Sequence, residues 1–314
     1  FVHDVYEEPL EVVACSAAGF PAANEAAKPI GGHKDGCRIG FDAGGSDRKV
    51  SAVIDGESVY SEEVVWYPKV TEDPTYHFNE IVTAFKTAAS KMPRVDAIGV
   101  SSAGVYVDDC PMVASLFIKV PRERRDEVKS IYKRAAAVIG DVPLVVANDG
   151  DVTALAGYMS TGEGPILGIA MGTSEAVGYV NAAGNVLGWL NELAFAPVDL
   201  SPEAMQDEWS TDYGVGCKYF SQDAVIKLAP AAGIQLDEAL SPAEKLKVVQ
   251  GLMEEGDPRA ASIYQSIGVY LAHALALYYD FYHYKHVLLL GRVMSGKGGD
   301  LLLSTCKEVL AEEY

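Results

Sequence analysis

The chain has 314 residues, 49% hydrophobic and 22% charged, which is apolar material for two ordinary domains and too much for a disordered chain. Asp and Glu number 44 against 25 Lys and Arg, a net charge of −19 that repels nucleic acid and anionic membrane, and no apolar run approaches the roughly 20 residues of a membrane span. The five cysteines (Cys15, Cys37, Cys110, Cys217, Cys306) form no CxxC pair and read as free thiols in a reducing, cytoplasmic compartment.

Residues 1–37 are expected as an N-terminal extension. The opening Phe1-Val2-His3-Asp4 lacks the basic start and apolar centre of a signal peptide, and the absent initiator Met suggests residues ahead of Phe1. Within the extension, Pro21 to Lys28 predicts a short helix, with Pro21 in the first turn and Pro29 as its stop. From Arg38 the pattern sharpens. Strands over 38–43 and 49–55 make a hairpin, and 57–66 a third antiparallel strand. A helix over 78–91 follows, with Ile81, Val82, Phe85 and Ala89 on one face. Then come a buried strand over 97–104, a helix over 122–139, and a strand over 142–147 that ends at Asn148-Asp149. A meander followed by β-α-β-α-β is an α/β unit, assigned to residues 38–150.

The second unit, 151–314, repeats the order. It has a hairpin around Gly172-Thr173, an extended piece at 183–198, a helical stretch at 219–229, a long helix at 258–282 and a strand at 286–290. A terminal helix is expected over 301–314. The first hairpin turns at Asp42-Ala43-Gly44-Gly45-Ser46, and the second at Gly172-Thr173-Ser174-Glu175. Glycine turns let backbone N–H groups approach a phosphate closely, and an acid such as Asp42 beside one can hold a hydrated Mg²⁺. Gly-Gly alone is equally an ordinary hairpin turn; its recurrence in the second half favours the phosphate reading. A duplicated hairpin/α/β unit with a phosphate turn in each copy is the plan of the actin-like ATPase (ribonuclease H-like) fold, two lobes closing on a nucleotide.

On these residues the chain resembles the ROK family of sugar kinases and relatives, within the actin–hexokinase–Hsp70 superfamily, from about Arg38 to its end. Asp42 to Ser46 resembles the family's first phosphate motif, with Ser46 in place of Thr and Lys49 close behind. Gly172-Thr173-Ser174 resembles the second, with Glu175 where a glycine follows. Gly291-Arg292-Val293 and Gly296 to Gly299 resemble the adenosine motif. Asn148-Asp149-Gly150-Asp151 resembles the family's Asn-Asp-x-Asn segment. The resemblance implies Mg-ATP as cofactor, Asp149 as catalytic base, Asn148 as a donor to a substrate hydroxyl, and Ser102 and Gly104 in a segment that seats the substrate. An Asp at this strand end also suits a helix N-cap.

The chain departs from the family at the sugar-binding segment. Glu192 keeps the acid of the Gly-Glu-x-Gly-His pattern, but Phe195 stands where the His would be. The Cys-rich zinc motif is reduced to the single Cys217 within Asp212 to Phe220. Tetrahedral zinc needs about four N or S ligands, so no zinc site is expected, and the substrate is expected to differ from a standard hexose. Family members continue past the adenosine motif into a helix crossing back to the first lobe, for which no sequence is seen here. His283 and His286 have a possible metal spacing but sit at a helix end, where packing and dipole compensation suit them. Trp189, Trp209 and Phe195 suit a stacking wall or a core. The basic stretch Arg122, Arg124, Arg125, Lys129, Lys133, Arg134 reads as a solvated face or a homodimer contact. The expected function is therefore an ATP-dependent phosphotransferase acting on a hydroxyl of a sugar-like molecule, with no nucleic-acid or membrane partner. A non-catalytic sugar sensor and an actin-like ATPase without a sugar substrate are the alternatives. Neither the amphipathic helix pair of a repressor's DNA-binding segment nor the cysteine pair of a cluster-bearing activator is seen in the sequence.

Overall fold

The computed structural model describes residues 2–314, so Phe1 lies outside the described residues. The chain divides into two compact units, residues 1–152 and 153–314.

The first unit is built on a five-stranded sheet of order β3-β2-β1-β4-β7. A five-residue helix α1 (Val2–Tyr6) precedes β1 (Cys37–Ala43), β2 (Asp47–Ile54) and β3 (Glu57–Val65), which run as an antiparallel meander. Helix α2 (Pro74–Ala89) leads to β4 (Ala97–Ser102), which lies parallel to β1. A small hairpin of β5 (Val105–Val107) and β6 (Cys110–Val113) follows. Helices α3 (Arg125–Lys129) and α4 (Ile131–Ile139) then lead to β7 (Leu144–Asn148), parallel to β4, and α5 (Asp149–Thr161) starts directly at its end. Alternation in β1 buries Cys37, Ile39, Phe41 and Ala43, the period-2 signature of a sheet face packed on helices. The Phe41 and Phe85 rings meet edge to face at 5.4 Å.

The expected helix at 78–91 begins four residues earlier. Asp73 accepts from the Thr75 N–H at 3.0 Å, with Pro74 in the first position, a cap that adds a turn before the apolar periodicity starts. The expected helix at 122–139 is broken into a 3₁₀ turn, Arg122–Arg124, then α3 and α4 with Ser130 between them. Ser130 takes a non-helical backbone (φ −95°, ψ 3°) and its hydroxyl bonds to the Asp126 carbonyl at 3.3 Å, a local bond that competes with the helix ladder. Three of the basic residues on this stretch hold the N-terminal helix of the same unit. Arg122 and Arg125 reach Asp4 at 3.2 and 3.6 Å, and Lys129 reaches Glu7, which clamps α1 with Val5 fully buried. The helix expected over 21–28 is absent, and those residues are exposed coil. An eight-residue helix with no apolar face to dock falls below the nucleation limit.

The second unit holds a three-stranded sheet, β10-β8-β9. β8 (Ile166–Met171) and β9 (Glu175–Val180) are an antiparallel hairpin, and β10 (His286–Leu290) lies parallel to β8. These match the places of β1, β2 and β4, so the duplication is visible in three of the five strand positions. The extended piece at 183–198 makes two isolated bridges, Val186 to Val180 and Pro197 to Val215. Helices α6 (Gln222–Ala231), α7 (Pro242–Glu255), α8 (Pro258–Tyr282) and α9 (Gly296–Glu313) complete the unit. α7 was not expected, although its capping box of Ser241 and Glu244 and its left-handed Gly256 cap stand in the sequence. α8 is long and apolar enough to cross a membrane by length and composition; half of it is buried, with Ile263, Ile267 and Leu271 in the core of the unit. At Gly268 a Cβ would lie 2.7 Å from the Leu302 carbonyl, so the missing side chain lets α9 pack on α8.

Candidate functional site

The first glycine turn joins β1 to β2. A Cβ on Gly44 would fall 2.6 Å from the Asp47 carbonyl, and one on Gly45 would fall 2.6 Å from Lys69 Cε and 2.8 Å from its Nζ. The turn is held from outside by Trp66, the residue after β3. Its indole Nε1 donates to the Gly44 carbonyl at 2.7 Å, and its backbone N–H donates to the Ser46 carbonyl at 3.2 Å. The Ser46 hydroxyl donates to Asp47 at 3.1 Å. Lys49 is committed to the same acid, its Nζ 2.5 Å from Asp47 Oδ1 and 3.7 Å from Asp42. Burial pulls its pKa down, but the Asp47 hydrogen bond and charge outweigh that and raise it. Lys49, expected at the nucleotide, is thus an internal brace of the hairpin.

The parallel strand ends gather the other residues. Register pairs Asp42 with Ser101, Ala43 with Ser102, and Ser102 with Asn148, so the carboxyl ends of β1, β4 and β7 stand side by side. Asp149 opens α5 at the end of β7. Burial, and then the negative charge of Asp42, raise its pKa, while the Gly150 N–H and Lys69 oppose them. Asn148 uses both ends of its amide: Nδ2 donates to the Gly104 carbonyl at 2.8 Å and Oδ1 accepts from the Gly150 N–H at 2.7 Å. Gly104 has φ +128°, and a Cβ there would meet the Val113 carbonyl at 2.4 Å, so only glycine fits. Ser102, expected at the substrate, has no exposed surface. Its hydroxyl accepts from Tyr106 at 2.6 Å and Tyr132 at 3.1 Å, beneath the strand ends rather than on them. Burial pushes the Tyr132 phenol up to about 12, so both rings stay neutral donors.

In the second unit, Gly172-Thr173-Ser174 forms the turn between β8 and β9, with Thr173 and Ser174 exposed. The Gly172 N–H donates to the Ser174 carbonyl at 3.0 Å, and its own carbonyl accepts from Gln222 at the start of α6 at 2.9 Å. Gly291 (φ +109°) follows β10, and a Cβ there would lie 2.4 Å from the Met171 carbonyl. The two glycine motifs of this unit are therefore neighbours. Gly296 (φ +68°) opens α9. Glu192 is half-buried at the start of a 3₁₀ turn, Leu193–Phe195. Glu175, the residue in place of a motif glycine, is buried and both its carboxylate oxygens lack a hydrogen-bond partner. Burial pushes its pKa up to about 8.

The segment of the reduced cysteine motif is organised by a lysine. Lys218, almost fully buried, reaches Glu208 at 2.5 Å, Asp223 at 3.0 Å and Asp207 at 3.5 Å, and Cys217 lies 3.6 Å from Asp207. Burial pushes the Cys217 thiol up to about 12. Trp189 stacks on Tyr179 at 5.2 Å as part of the core, and Trp209 lies against Phe195 at 5.3 Å. His283 is the left-handed cap of α8, while His286 lies 3.3 Å from Glu163. Among the described residues, no group of three or more His, Cys, Asp or Glu side chains forms a metal-ligand cluster. Asp42 and Asp149 still suit Mg²⁺, a hard cation bound through one or two carboxylates and its own waters.

Two residues at this site carry no motif: Trp66 and Lys69. Their only signal is position, directly after a third meander strand whose end returns to the glycine turn.

By sequence, no protein-family model and no curated protein matches the chain. By structure, it is similar to a ROK family glucokinase from Streptomyces griseus in complex with glucose and AMPPNP (TM-score 0.67, 18% identity, 87% of this chain and 88% of that one). It is also similar to a ROK hexokinase from Thermus thermophilus (TM-score 0.62, 19% identity, 88% and 89%). A third likeness is to a ROK family transcriptional regulator, a homolog of the E. coli MLC protein (TM-score 0.67, 16% identity, 88% and 70%). The chain has the actin-like ATPase fold in the form the ROK proteins take.

Proposed function

We propose that this protein is an ATP-dependent phosphotransferase acting on a hydroxyl group of a sugar-like small molecule, with Asp149 as base. The observation that carries the reading is the pair of carboxylates, Asp42 and Asp149, at the ends of β1 and β7 on one edge of the sheet beside a glycine turn, with the Asp42 charge acting on Asp149. Phosphoryl transfer to an alcohol needs a carboxylate that takes the hydroxyl proton and backbone donors that bind the phosphates. Asp149 fills the first role and the Gly44–Ser46 turn the second; within the second unit, Gly172, Thr173 and Ser174 are likewise assigned to phosphate. Gly291 and Gly296 are assigned to the adenosine. Asp42 and Asp149 would hold Mg²⁺ through water, and the bound ion would neutralise charge on the phosphates. Asn148, braced at both amide ends between the Gly104 carbonyl and the Gly150 N–H, is assigned to a substrate hydroxyl beside Asp149. Glu192 is assigned to the substrate, Gly104 to the backbone turn beside it.

The kinship in fold with a glucose- and AMPPNP-bound glucokinase supports the reading. Likeness to a regulator of comparable TM-score favours one second reading, a sugar-binding protein that transfers nothing. A coupled ADP-release assay across a panel of sugars and polyols separates them. Acceptor-dependent release is expected of the kinase; acceptor-independent release identifies a plain ATPase. Absence of release, with sugar still raising the melting temperature, identifies the sensor.

A further inference from the structure

Two lysines stand near the first glycine turn. Lys49 is bound to Asp47 and close to Asp42. Lys69 has its Nζ where a side chain on Gly45 would have to pass, and among the described residues it makes no ion pair. Its position is not that of a loose surface lysine. Trp66, three residues before it, is fixed to Gly44 and Ser46 by two hydrogen bonds. Pro68 is buried, with its carbonyl 3.0 Å from Nε2 of the buried His77. The stem carrying Lys69 is thus tied to the turn on one side and to α2 on the other.

We propose that Lys69 is the cation that grips the terminal phosphoryl group of the nucleotide, a role the glycine motif itself leaves vacant. The proposal rests on the phosphotransferase reading above. In the step it describes, the acceptor oxygen forms a bond to the terminal phosphorus as the bond from phosphorus to the bridging oxygen breaks. The electron pair of that bond passes to the departing ADP, and the hydroxyl proton goes to the Asp149 carboxylate. Lys69 keeps its protons throughout and offers hydrogen bonds to the transferring oxygens, which gather charge as the bond breaks.

The test compares the full chain with Lys69→Met and Lys69→Arg, titrated with Mg-AMPPNP and Mg-ADP by calorimetry. Lys69→Met is expected to weaken Mg-AMPPNP by about 10–100-fold, the range of one or two charge-assisted hydrogen bonds, and to change Mg-ADP less than about threefold. Lys69→Arg is expected to keep most of the Mg-AMPPNP affinity. Unchanged Mg-AMPPNP binding by Lys69→Met, or equal weakening of both nucleotides, overturns the assignment to the terminal phosphate while leaving the kinase reading in place. If the unaltered protein binds neither nucleotide, the phosphotransferase reading itself is overturned and this proposal goes with it.

Discussion

The indole N–H of Trp66 donates to the carbonyl of Gly44 across 2.7 Å, which binds the end of the third strand to the turn between the first two. Trp66 is 1% exposed, so its partner carbonyl has no water to fall back on if the indole is lost. Trp66→Phe keeps the apolar bulk and removes the donor. The expected cost is about 1–3 kcal/mol of unfolding free energy, the penalty for orphaning a buried acceptor, with added loss of nucleotide affinity through the loosened turn. Chemical denaturation read by circular dichroism, beside nucleotide titration, checks both; a variant as stable as the parent would remove the anchoring role.

Asp149→Asn is expected to lower kcat by roughly 10²–10⁴ with the melting temperature held within a few degrees. The base must be ionised to accept a proton, and burial and Asp42 raise its pKa. Activity is therefore expected to rise with pH through a midpoint above that of an ordinary aspartate and to be lost as pH falls through it. An unchanged turnover rate in the variant would dismiss Asp149 as base.

Glu175 gives the fold a pH dependence of opposite sense. Burial pushes its pKa up to about 8 in the folded state, from the ordinary glutamate value of 4.5 when unfolded. Between those values the folded state binds one proton more than the unfolded state, so this residue's contribution to stability falls as pH rises from about 4.5 to about 8 and is flat above. Glu175→Gln removes that slope. The variant is expected to gain several kcal/mol over the parent at pH 8, as an order of magnitude, and little at pH 5. Parallel melting curves at both pH values would refute the buried neutral carboxyl.

Lys218 joins Asp207, Glu208 and Asp223 from within the second unit. Lys218→Met leaves Asp207 and Asp223 without their cation, and breaking a buried ion pair from one side costs about 3–5 kcal/mol. The loss is expected to be partly recovered by Asp207→Asn in the same chain. Urea unfolding of the two single variants and the double variant measures the coupling; simple additivity would show that the cluster is not a unit.

The three-stranded meander with its glycine turn was legible because β1 alternates strictly and the turn sits where alternation stops. Asp149 could be placed because a buried strand ends at it. Lys69 was not legible, since its role comes from the path of β3 back across the turn, a tertiary relation that no local periodicity encodes. The break at Ser130 was missed for a related reason: apolar spacing continues through it, and a single hydroxyl bond decides the geometry. The false helix at 21–28 shows the reverse error, helix propensity without a surface to pack on. Ser102 lies beneath the strand ends because two tyrosines, distant in sequence, converge on its hydroxyl.

The three tryptophans of the chain differ in surroundings in a way that makes the protein its own reporter. Trp66 is sealed against the first glycine turn, Trp189 is stacked on Tyr179, and Trp209 is 59% exposed. With Trp189→Phe and Trp209→Phe, intrinsic fluorescence comes from Trp66 alone. Any ligand that alters the hydrogen bond from its indole to Gly44 would then shift the emission wavelength, giving an optical signal from the backbone of the turn itself without an attached dye.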